Sequence, residues 1–244
     1  LVGFTAQKQR DERNRVVAEQ FPDDQVKTVN GGIITGGSQT IEEWSLVSML
    51  ARANYVLKNR YLLTATIRSD RSSRFGADHQ TGVFPSFSVG WLMQEERFMQ
   101  NQTVINQLKP RLSYGVTGNF MIPNYGSIGL LTSSNYVIGG AVQPGAVPIS
   151  FSNRELTWET TKQFNVGLDF AFLENRIYGT FDWYRSHTTD LLLNVNIPAV
   201  SGFTSTLANI GEVENKGFEV QLTSRNLVGE FRWNTDFNFS MNKN

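Results

Sequence analysis

Hydrophobic and polar residues alternate along most of the chain with a period of two, which is the period of a β-strand. The clearest case is FNVGLDFAFLENRIYGTFDWY, residues 164–184. One side of this segment carries the large apolar residues Phe164, Val166, Leu168, Phe170, Phe181 and Trp183. The other side carries Asn165, Asp169, Thr180 and Asp182. Because successive side chains of a strand point to opposite faces, the pattern predicts a hairpin with one apolar and one hydrated face.

The same alternation recurs in separate segments, and a helical period is nearly absent. It predicts strands at about 41–57, 61–73, 82–93, 107–118, 157–172, 177–190, 211–226 and 231–243, with a partial strand at 1–8. One helical turn is predicted at 94–101. The predicted fold class is therefore all-β.

Long and short links alternate between these strands. The short links are 58–60, 173–176 and 226–230, and the somewhat longer link 94–106 falls on the same side. The long links, rich in Gly, Asn, Ser and Pro, are 9–40, 74–81, 119–156 and 191–210. An antiparallel up-and-down sheet with tight turns on one rim and large loops on the other gives this order.

Two architectures fit an antiparallel sheet with one apolar face. Transmembrane β-barrels have short periplasmic turns, long extracellular loops and strands of dyad period. A tilted strand crosses the hydrocarbon layer in about 9–11 residues, and soluble strands are usually about 5–6 residues long. The predicted strands, of about 12 to 17 residues, favour a barrel wall. The alternative is a soluble β-sandwich, a carbohydrate-binding or adhesin module, whose apolar face would pack on a second sheet.

Aromatic residues concentrate near the predicted strand ends, where two interfacial girdles of a membrane barrel would lie. They are Trp44, Tyr61, Trp91, Trp158, Phe172, Tyr184, Phe231 and Trp233.

Composition narrows the function further. Lys plus Arg total 22 and Asp plus Glu total 22, so there is no electrostatic reason to expect nucleic acid as a partner. The absence of cysteine excludes disulfides and thiolate metal sites. His79 and His187 are isolated, so we predict no metal and no cofactor.

Glu212 and Glu214 lie on one strand face near Lys216, which indicates a solvated rim. The competing hypothesis is a barrel enzyme that uses these carboxylates. We predict no catalytic residues.

Several separated blocks carry a family resemblance. They are RYLLTATIRSDRSSRFG, GVFPSFSVGWLMQEERFM, LKPRLSYGVTGN and the long block ELTWETTKQFNVGLDFAFLENRIYGTFDWYRSHTTDLLLNV with GFTSTLANIGEVENKGFEVQLTSRN. In this order they resemble the TonB-dependent SusC/RagA-type outer-membrane transporters of Bacteroidota. The resemblance covers most of residues 60–244, and residues 1–40 match less well.

The resemblance implies a 22-stranded barrel in the outer membrane of a Gram-negative bacterium, filled by a plug and energised through TonB. It also implies contact with outer-membrane lipid, a SusD-like lipoprotein lid and import of oligosaccharides or peptides. We recognise no plug and no TonB box, and the chain starts and stops within strand patterns. Since about nine strands cannot line a 22-stranded barrel, we expect residues 1–244 to be a partial barrel domain.

Candidate substrate-binding residues fall into two groups. On the hydrated strand face they are Arg68, Asp70, Asp169, Asp182, Glu219 and Gln221, joined by Arg71 and Arg74 in the motif SDRSSRFG. In the loops they are Tyr125, Tyr136, Phe151 and Phe203, whose aromatic faces could stack on sugar rings. The competing interpretation of SDRSSRFG is structural: Arg68, Asp70, Arg71 and Arg74 pair among themselves.

Overall fold

Nine long strands form one continuous antiparallel sheet in the computed structural model, which describes all residues 1–244. In chain order the strands are β1 (Val2–Glu19), β2 (Ile33–Leu57), β3 (Tyr61–Ser72), β4 (Thr81–Trp91), β5 (Ile105–Asn119), β6 (Leu131–Ile138), β7 (Ala141–Pro148), β8 (Glu159–Phe172), β9 (Ile177–Thr189), β10 (Leu192–Asn196), β11 (Ser205–Asn209), β12 (Glu212–Val228) and β13 (Arg232–Lys243). The sheet order is β1-β2-β3-β4-β5-β8-β9-β12-β13. This up-and-down order confirms the predicted all-β fold, and the sheet is an open wall with β1 and β13 as its edges.

The first hairpin is much longer than the alternation predicted. β1 pairs with β2 from Val2–Ala51 to Glu19–Ile33. β2 pairs with β3 only over its last twelve residues, from Leu46 to Leu57. The predicted loop 9–40 is therefore wrong: the loop covers only residues 20–32, and the rest is a two-stranded ribbon that rises beyond the neighbouring strands.

The sequence pattern does not predict the ribbon, because both of its faces are hydrated and apolar residues do not recur at every second position. Backbone pairing and cross-strand charge pairs hold it together. Lys8 lies 3.3 Å and Arg10 lies 3.7 Å from the carboxylate of Glu43. Lys8 and Arg10 are largely exposed and Glu43 is partly exposed, and such surface pairs usually contribute less than about 1 kcal/mol each.

Two small hairpins were also missed, because they lie inside links predicted as loops. β6 and β7 occupy the link 119–156, and β10 and β11 occupy the link 191–210. The helical turn predicted at 94–101 is present as two short 3₁₀ turns, Met93–Glu95 and Arg97–Met99.

The two faces of the sheet differ as the alternation predicted. Residues directly opposite each other in the register share a face. One apolar row comprises Leu112, Val166, Trp183 and Phe218. The adjacent row on the hydrated face comprises Arg111, Gly167, Asp182 and Glu219.

Nothing covers the apolar face. Phe181 keeps 40% and Phe237 52% of its accessible surface, and only 15 of the 244 residues are buried. A β-sandwich would bury these rings between two sheets, so the alternative of a soluble sandwich is wrong. The structure contains no helix with the length and apolar character needed to cross a membrane.

At the rim with short turns, an acidic side chain joins the β2–β3 turn to the start of β3 and the end of β4. Glu96 accepts hydrogen bonds from the Tyr61 hydroxyl at 2.7 Å and from Trp91 Nε1 at 3.2 Å, and it pairs with Arg60 at 2.7 Å. The rings of Tyr61 and Trp91 stack with their centroids 6.3 Å apart. The hydrogen bond from Tyr61, followed by those from Arg60 and Trp91, lowers the pKa of Glu96 below its ordinary value.

We expect Glu96→Gln to lower thermal stability at neutral pH and to reduce the sensitivity to acid. Because the folded-state pKa is depressed, the stabilisation is complete above the ordinary pKa of a glutamate. It is lost as the pH falls below the ordinary pKa of a glutamate and through the depressed value. The measurement is the temperature of the heat-dependent shift in gel mobility after incubation at a series of pH values. The neighbouring exposed Glu95→Gln is the control; equal acid sensitivity in both variants and the parent protein would contradict the role of Glu96.

Candidate functional site

The sheet opens between β4 and β5 as it approaches the rim with long loops. These strands pair only from Gly90–Arg111 to Ser86–Gly115, although both remain paired with their other neighbours beyond that level. The ring of Phe84 lies beside Gly118, where a Cβ atom would come within 2.1 Å of the ring. Glycine is therefore required at position 118 for the ring to fit.

A group of apolar side chains, here called the rim cluster, fills this opening: Phe75, Phe84, Ile122, Leu156 and Trp158. Trp158 is its centre, with ring centroids 5.0 Å from Phe75 and 5.3 Å from Phe84. Its indole nitrogen donates to the carbonyl of Gln80 at 3.3 Å. The cluster thus joins the β3–β4 link to the segment that leads into β8.

Three aromatic residues predicted for the girdles lie elsewhere. Trp158 is 4% exposed within the rim cluster, and Trp44 is 8% exposed with its ring 5.8 Å from Phe120. Tyr184 pairs with Asn165 and therefore lies on the hydrated face. An aromatic residue near a strand end indicated a girdle, but only the pairing register of the strands shows which face each ring occupies.

Arg74 lies against the aromatic rings of the same region. Its guanidinium lies 4.6 Å from the centroid of Trp44 and 5.5 Å from that of Phe120, so it makes two cation–π contacts. Burial lowers the pKa of Arg74 below its ordinary value, although the side chain stays charged at physiological pH. It contacts rings rather than Asp70, so the interpretation that it pairs within SDRSSRFG is wrong for this residue.

The segment 120–127 crosses from β5 to β2 along this rim. The backbone amide of Glu43 donates to the Tyr125 hydroxyl at 3.0 Å, and Asn124 Nδ2 donates to Glu42 at 2.8 Å. Tyr125 adopts a left-handed backbone conformation with φ of +62°. A bulky residue rarely takes this conformation unless the surrounding contacts enforce it.

Between this segment and the β10–β11 hairpin lies a cavity of about 650 Å³, here called the loop pocket. Tyr125, Phe151 and Phe203 line it, with Asn124, Ser150 and Thr206 among the polar groups. None of its 18 lining residues is Asp, Glu, Lys, Arg or His. The pocket is therefore uncharged, and its lining combines aliphatic and aromatic side chains with amide and hydroxyl groups.

Of the loop candidates, Tyr136 alone lies apart from this pocket. It is on β6, is 50% exposed, and packs its ring over Gly145 on β7. The other three, Tyr125, Phe151 and Phe203, come together although they are far apart in sequence. Phe151 and Phe203 make an edge-to-face contact with centroids 5.9 Å apart.

On the hydrated face, four charged side chains form a second group, here called the lumen network: Lys109, Arg111, Asp169 and Asp182. Arg111 Nε lies 2.8 Å from Asp169 and Arg111 Nη2 lies 3.0 Å from Asp182, while Lys109 lies 3.5 Å from Asp169. Gly167 makes room for the guanidinium, since a Cβ there would come within 2.8 Å of Arg111 and 2.5 Å of Asp182.

Sequence reasoning named both aspartates but not Arg111 as a site residue. The sequence pattern does place Arg111 on the hydrated face, because it lies between apolar neighbours on a strand, as the two aspartates do. The pattern does not show that the three residues meet, since this depends on β5, β8 and β9 being neighbours in the sheet. Both aspartates have a cationic partner in Arg111, so part of their charge is already balanced within the protein. A direct role of Asp169 and Asp182 in substrate binding stays a prediction.

The remaining candidates lie along β3 and at its end. Arg68 Nε lies 2.8 Å from Asp70, and Arg68 Nη2 donates to Ser48 at 3.1 Å. Arg71 donates to Gln80 at 3.1 Å. Of the predicted pairing, only that between Asp70 and Arg68, which directly precedes the motif, is present, and substrate contact by these residues stays a prediction.

We expect Arg111→Met to destabilise the folded protein by about 1–2 kcal/mol. Removing one partner of a buried ion pair costs about 3–5 kcal/mol, but these groups are partly exposed, which reduces the loss. Denaturant unfolding in phospholipid vesicles measures the change, and Arg52→Met, on the same face without an ion pair, is the control. If the charge pairing is responsible, adding Asp182→Asn should recover part of the loss; strictly additive losses would contradict it.

Comparison with known proteins identifies the sheet. Residues 2–243 match the family model described as TonB dependent receptor-like, beta-barrel. The chain is 39% identical to TonB-dependent receptor P3 of Formosa agariphila, over all of this chain and 25% of that protein. It is 40% identical to TonB-dependent receptor SusC of Bacteroides thetaiotaomicron, over 82% of this chain and 20% of that protein.

A solved structure agrees with the sequence relatives. The RagAB peptide importer in its closed-closed state superposes with a TM-score of 0.88 at 26% identity, covering 99% of this chain and 27% of the matched chain. The siderophore receptor PirA of Acinetobacter baumannii, with a TM-score of 0.52 at 16% identity, shares the fold. This chain thus spans about a quarter of the length of receptor P3 and of the matched RagAB chain, and it belongs to the TonB-dependent receptor β-barrel family, as a SusC/RagA-like member.

Proposed function

We propose that this chain forms part of the barrel wall of an outer-membrane importer that takes up glycans or peptides. The observation that carries the proposal is the uncovered apolar face of a sheet that matches this family from residue 2 to residue 243. Lipid is the solvent that an exposed row of Phe, Val and Leu side chains requires. Unpaired backbone is costly in hydrocarbon, so a closed barrel is the form in which this wall spans the membrane.

The mechanism in this proposal is physical rather than chemical, and no residue acts as a catalyst. Substrate is captured at the rim with long loops, which faces the outside of the cell. A plug inside the barrel blocks passage until TonB transmits energy from the inner membrane. The hydrated face, with the lumen network and the pair of Arg68 and Asp70, is the surface that the plug and the substrate meet.

A SusD-like lipoprotein is the proposed partner at the long-loop rim. The family resemblance supports this assignment, and so does the similarity to the RagAB peptide importer. The ribbon of β1 and β2 and the hairpins β6–β7 and β10–β11 all rise on this rim. They give a lid a broad surface to contact.

The complete gene product, expressed with its natural neighbours, tests the proposal. We expect it in the outer-membrane fraction, soluble only with detergent and with heat-dependent gel mobility. Deleting the gene should stop growth on one class of oligosaccharide or peptide, and loss of TonB should have the same effect. Release of the protein into the aqueous fraction without detergent would contradict the proposal.

A further inference from the structure

We propose that the apolar face, at its end nearest the long-loop rim, binds the phosphate groups of the glycolipid that forms the outer leaflet of the membrane. The inference rests on the proposed function, because it takes the apolar face to be in contact with lipid. It is carried by four cations at this end of the face, here called the outer cation group: Lys162, Arg185, Lys216 and Lys243.

The strand register places the outer cation group on the same face as the apolar rows. Arg185 lies between Phe164 and Lys216, its partners on β8 and β12. Lys216 is in turn the partner of Lys243 on β13, and Lys162 lies two residues from Phe164 toward the long-loop rim. Neighbouring strands are about 4.8 Å apart, so Arg185 and Lys243 lie about 10 Å from each other. One phosphorylated head group can therefore contact several of these cations, all of which are exposed.

The protein supplies too little negative charge to balance this group. Glu214 pairs with Arg185 at 2.6 Å and lies 3.6 Å from Lys216. Lys162 and Lys243 form no ion pair within residues 1–244. Since like charges directly opposite each other destabilise a sheet, Lys216 and Lys243 repel each other across β12 and β13. An anion bound from outside the protein relieves this repulsion.

The row next to the cations is apolar and comprises Val166, Trp183, Phe218 and Met241. It lies two residues further along each strand, which is a distance of about 7 Å. Trp183 and Met241 keep much of their surface exposed. A lipid whose acyl chains contact this row therefore has its head group at the level of the cations.

The two ends of the apolar band differ in charge, and this difference selects one leaflet. On β8 the band spans nine residues, from Phe164 to Phe172, and about 9–11 residues cross the hydrocarbon layer. The row of Phe172 at the short-turn end is uncharged, with Ile177, Ser224 and Thr235 as its other members. Of these two end rows, only the one near the long loops is cationic, and that rim faces the outside of the cell. The anions at this level are the phosphate groups of the outer-leaflet glycolipid.

The test measures lipid binding to the complete gene product in detergent by native mass spectrometry. The probes are diphosphorylated lipid A, the same lipid A after removal of its phosphates, phosphatidylglycerol and inorganic pyrophosphate. We expect the dephosphorylated lipid and pyrophosphate to bind at least tenfold more weakly than diphosphorylated lipid A, because each lacks one of the two contacts. Phosphatidylglycerol should bind at least threefold more weakly, because its single phosphate contacts fewer cations.

Replacing the two lysines that face each other tests the cations directly. Lys216→Gln combined with Lys243→Gln should weaken the binding of diphosphorylated lipid A at least tenfold, since each lysine beside an anionic lipid surface adds to the attraction. Glu214 keeps Arg185 as its partner in this variant, so no carboxylate is left unpaired.

The matched control combines Lys27→Gln with Lys58→Gln, which removes two exposed lysines, one from the loop 20–32 and one from the β2–β3 turn. It should leave the affinity unchanged. Heat-dependent gel mobility identifies variants that fail to fold, and the comparison of probes on the parent protein does not depend on any variant.

Four results would each overturn the inference. They are failure of diphosphorylated lipid A to bind, equally tight binding of any of the other three probes, unchanged affinity in the variant of Lys216 and Lys243, and an equal loss in the control. Retained outer-membrane location and TonB-dependent uptake in those cases would leave the proposed function standing.

Discussion

Replacing Trp158 by alanine is expected to lower the free energy of unfolding by about 3–5 kcal/mol. The side chain is 4% exposed and is the member of the rim cluster that touches both Phe75 and Phe84. Truncation removes these contacts and leaves a cavity at the place where β4 and β5 no longer pair. Backbone groups beside the cavity would then lose the cover of the indole ring.

The loss can be divided between packing and hydrogen bonding with a second variant. Trp158→Phe keeps much of the ring but removes the bond from the indole nitrogen to Gln80. A neutral hydrogen bond contributes about 0.5–1.5 kcal/mol, so this variant should retain most of the stability. Denaturant unfolding in phospholipid vesicles, followed by gel mobility, measures both changes.

The control for Trp158→Ala is Trp233→Ala, which removes the same ring from a strand where it is 55% exposed. We expect a much smaller loss there. Limited proteolysis gives a second measurement, because loosening of the rim cluster should expose the segment 120–158 to cleavage. Similar losses in the two alanine variants would show that the rim cluster is not a packed core.

The alternation of residues predicted the parts of the fold where one face is apolar. The hairpin of β8 and β9 is the best example: the predicted strands 157–172 and 177–190 correspond to Glu159–Phe172 and Ile177–Thr189. The six apolar and four polar residues assigned to the two faces of this hairpin lie on those faces in the observed register, and only Tyr184, predicted for a girdle, lies elsewhere. A strand between lipid and water is specified by its sequence because a shift by one residue would exchange the two faces.

The structure beyond the membrane could not be predicted in the same way. The ribbon of β1 and β2 and the hairpin of β6 and β7 are exposed on both faces, so their pairing leaves no period in the sequence. The strands β10 and β11 are only five residues long, too short to show a period, although Leu192 and Leu207 pack against the rim cluster. Pro144 lies on β7 although proline cannot donate a hydrogen bond to a neighbouring strand; a two-stranded hairpin tolerates it because each strand is an edge.

The candidate site likewise has a part that residue type predicts and a part that depends on the fold. Residue type suggested that Tyr125 and Phe203 could contact substrate, but the pocket between them depends on how the segment 120–127 docks on β2. The lumen network likewise depends on strand adjacency and on the absence of a side chain at Gly167. Local sequence gives the chemistry of such groups, and only the register gives their partners.

Placing an arginine in the centre of the apolar face is expected to destabilise the membrane-inserted barrel by about 2–4 kcal/mol. Phe181 is suited to this test because it pairs with Leu168, midway between the turn at 173–176 and the charged residues near the long-loop rim. An arginine there would face hydrocarbon with no counter-charge in the same row, whose next member is Val220.

Thr180→Arg is the matched control, because it places the same charge on the adjacent residue of the same strand. Thr180 pairs with Asp169 and Gln221 on the hydrated face, where a guanidinium keeps its water and has a carboxylate nearby. We expect this variant to insert and unfold almost like the parent protein. Vesicle unfolding and the yield of the heat-modifiable form measure the difference between the two variants. Equal losses from Phe181→Arg and Thr180→Arg would mean that the two faces do not meet different solvents, and the assignment of lipid to the apolar face would then be wrong.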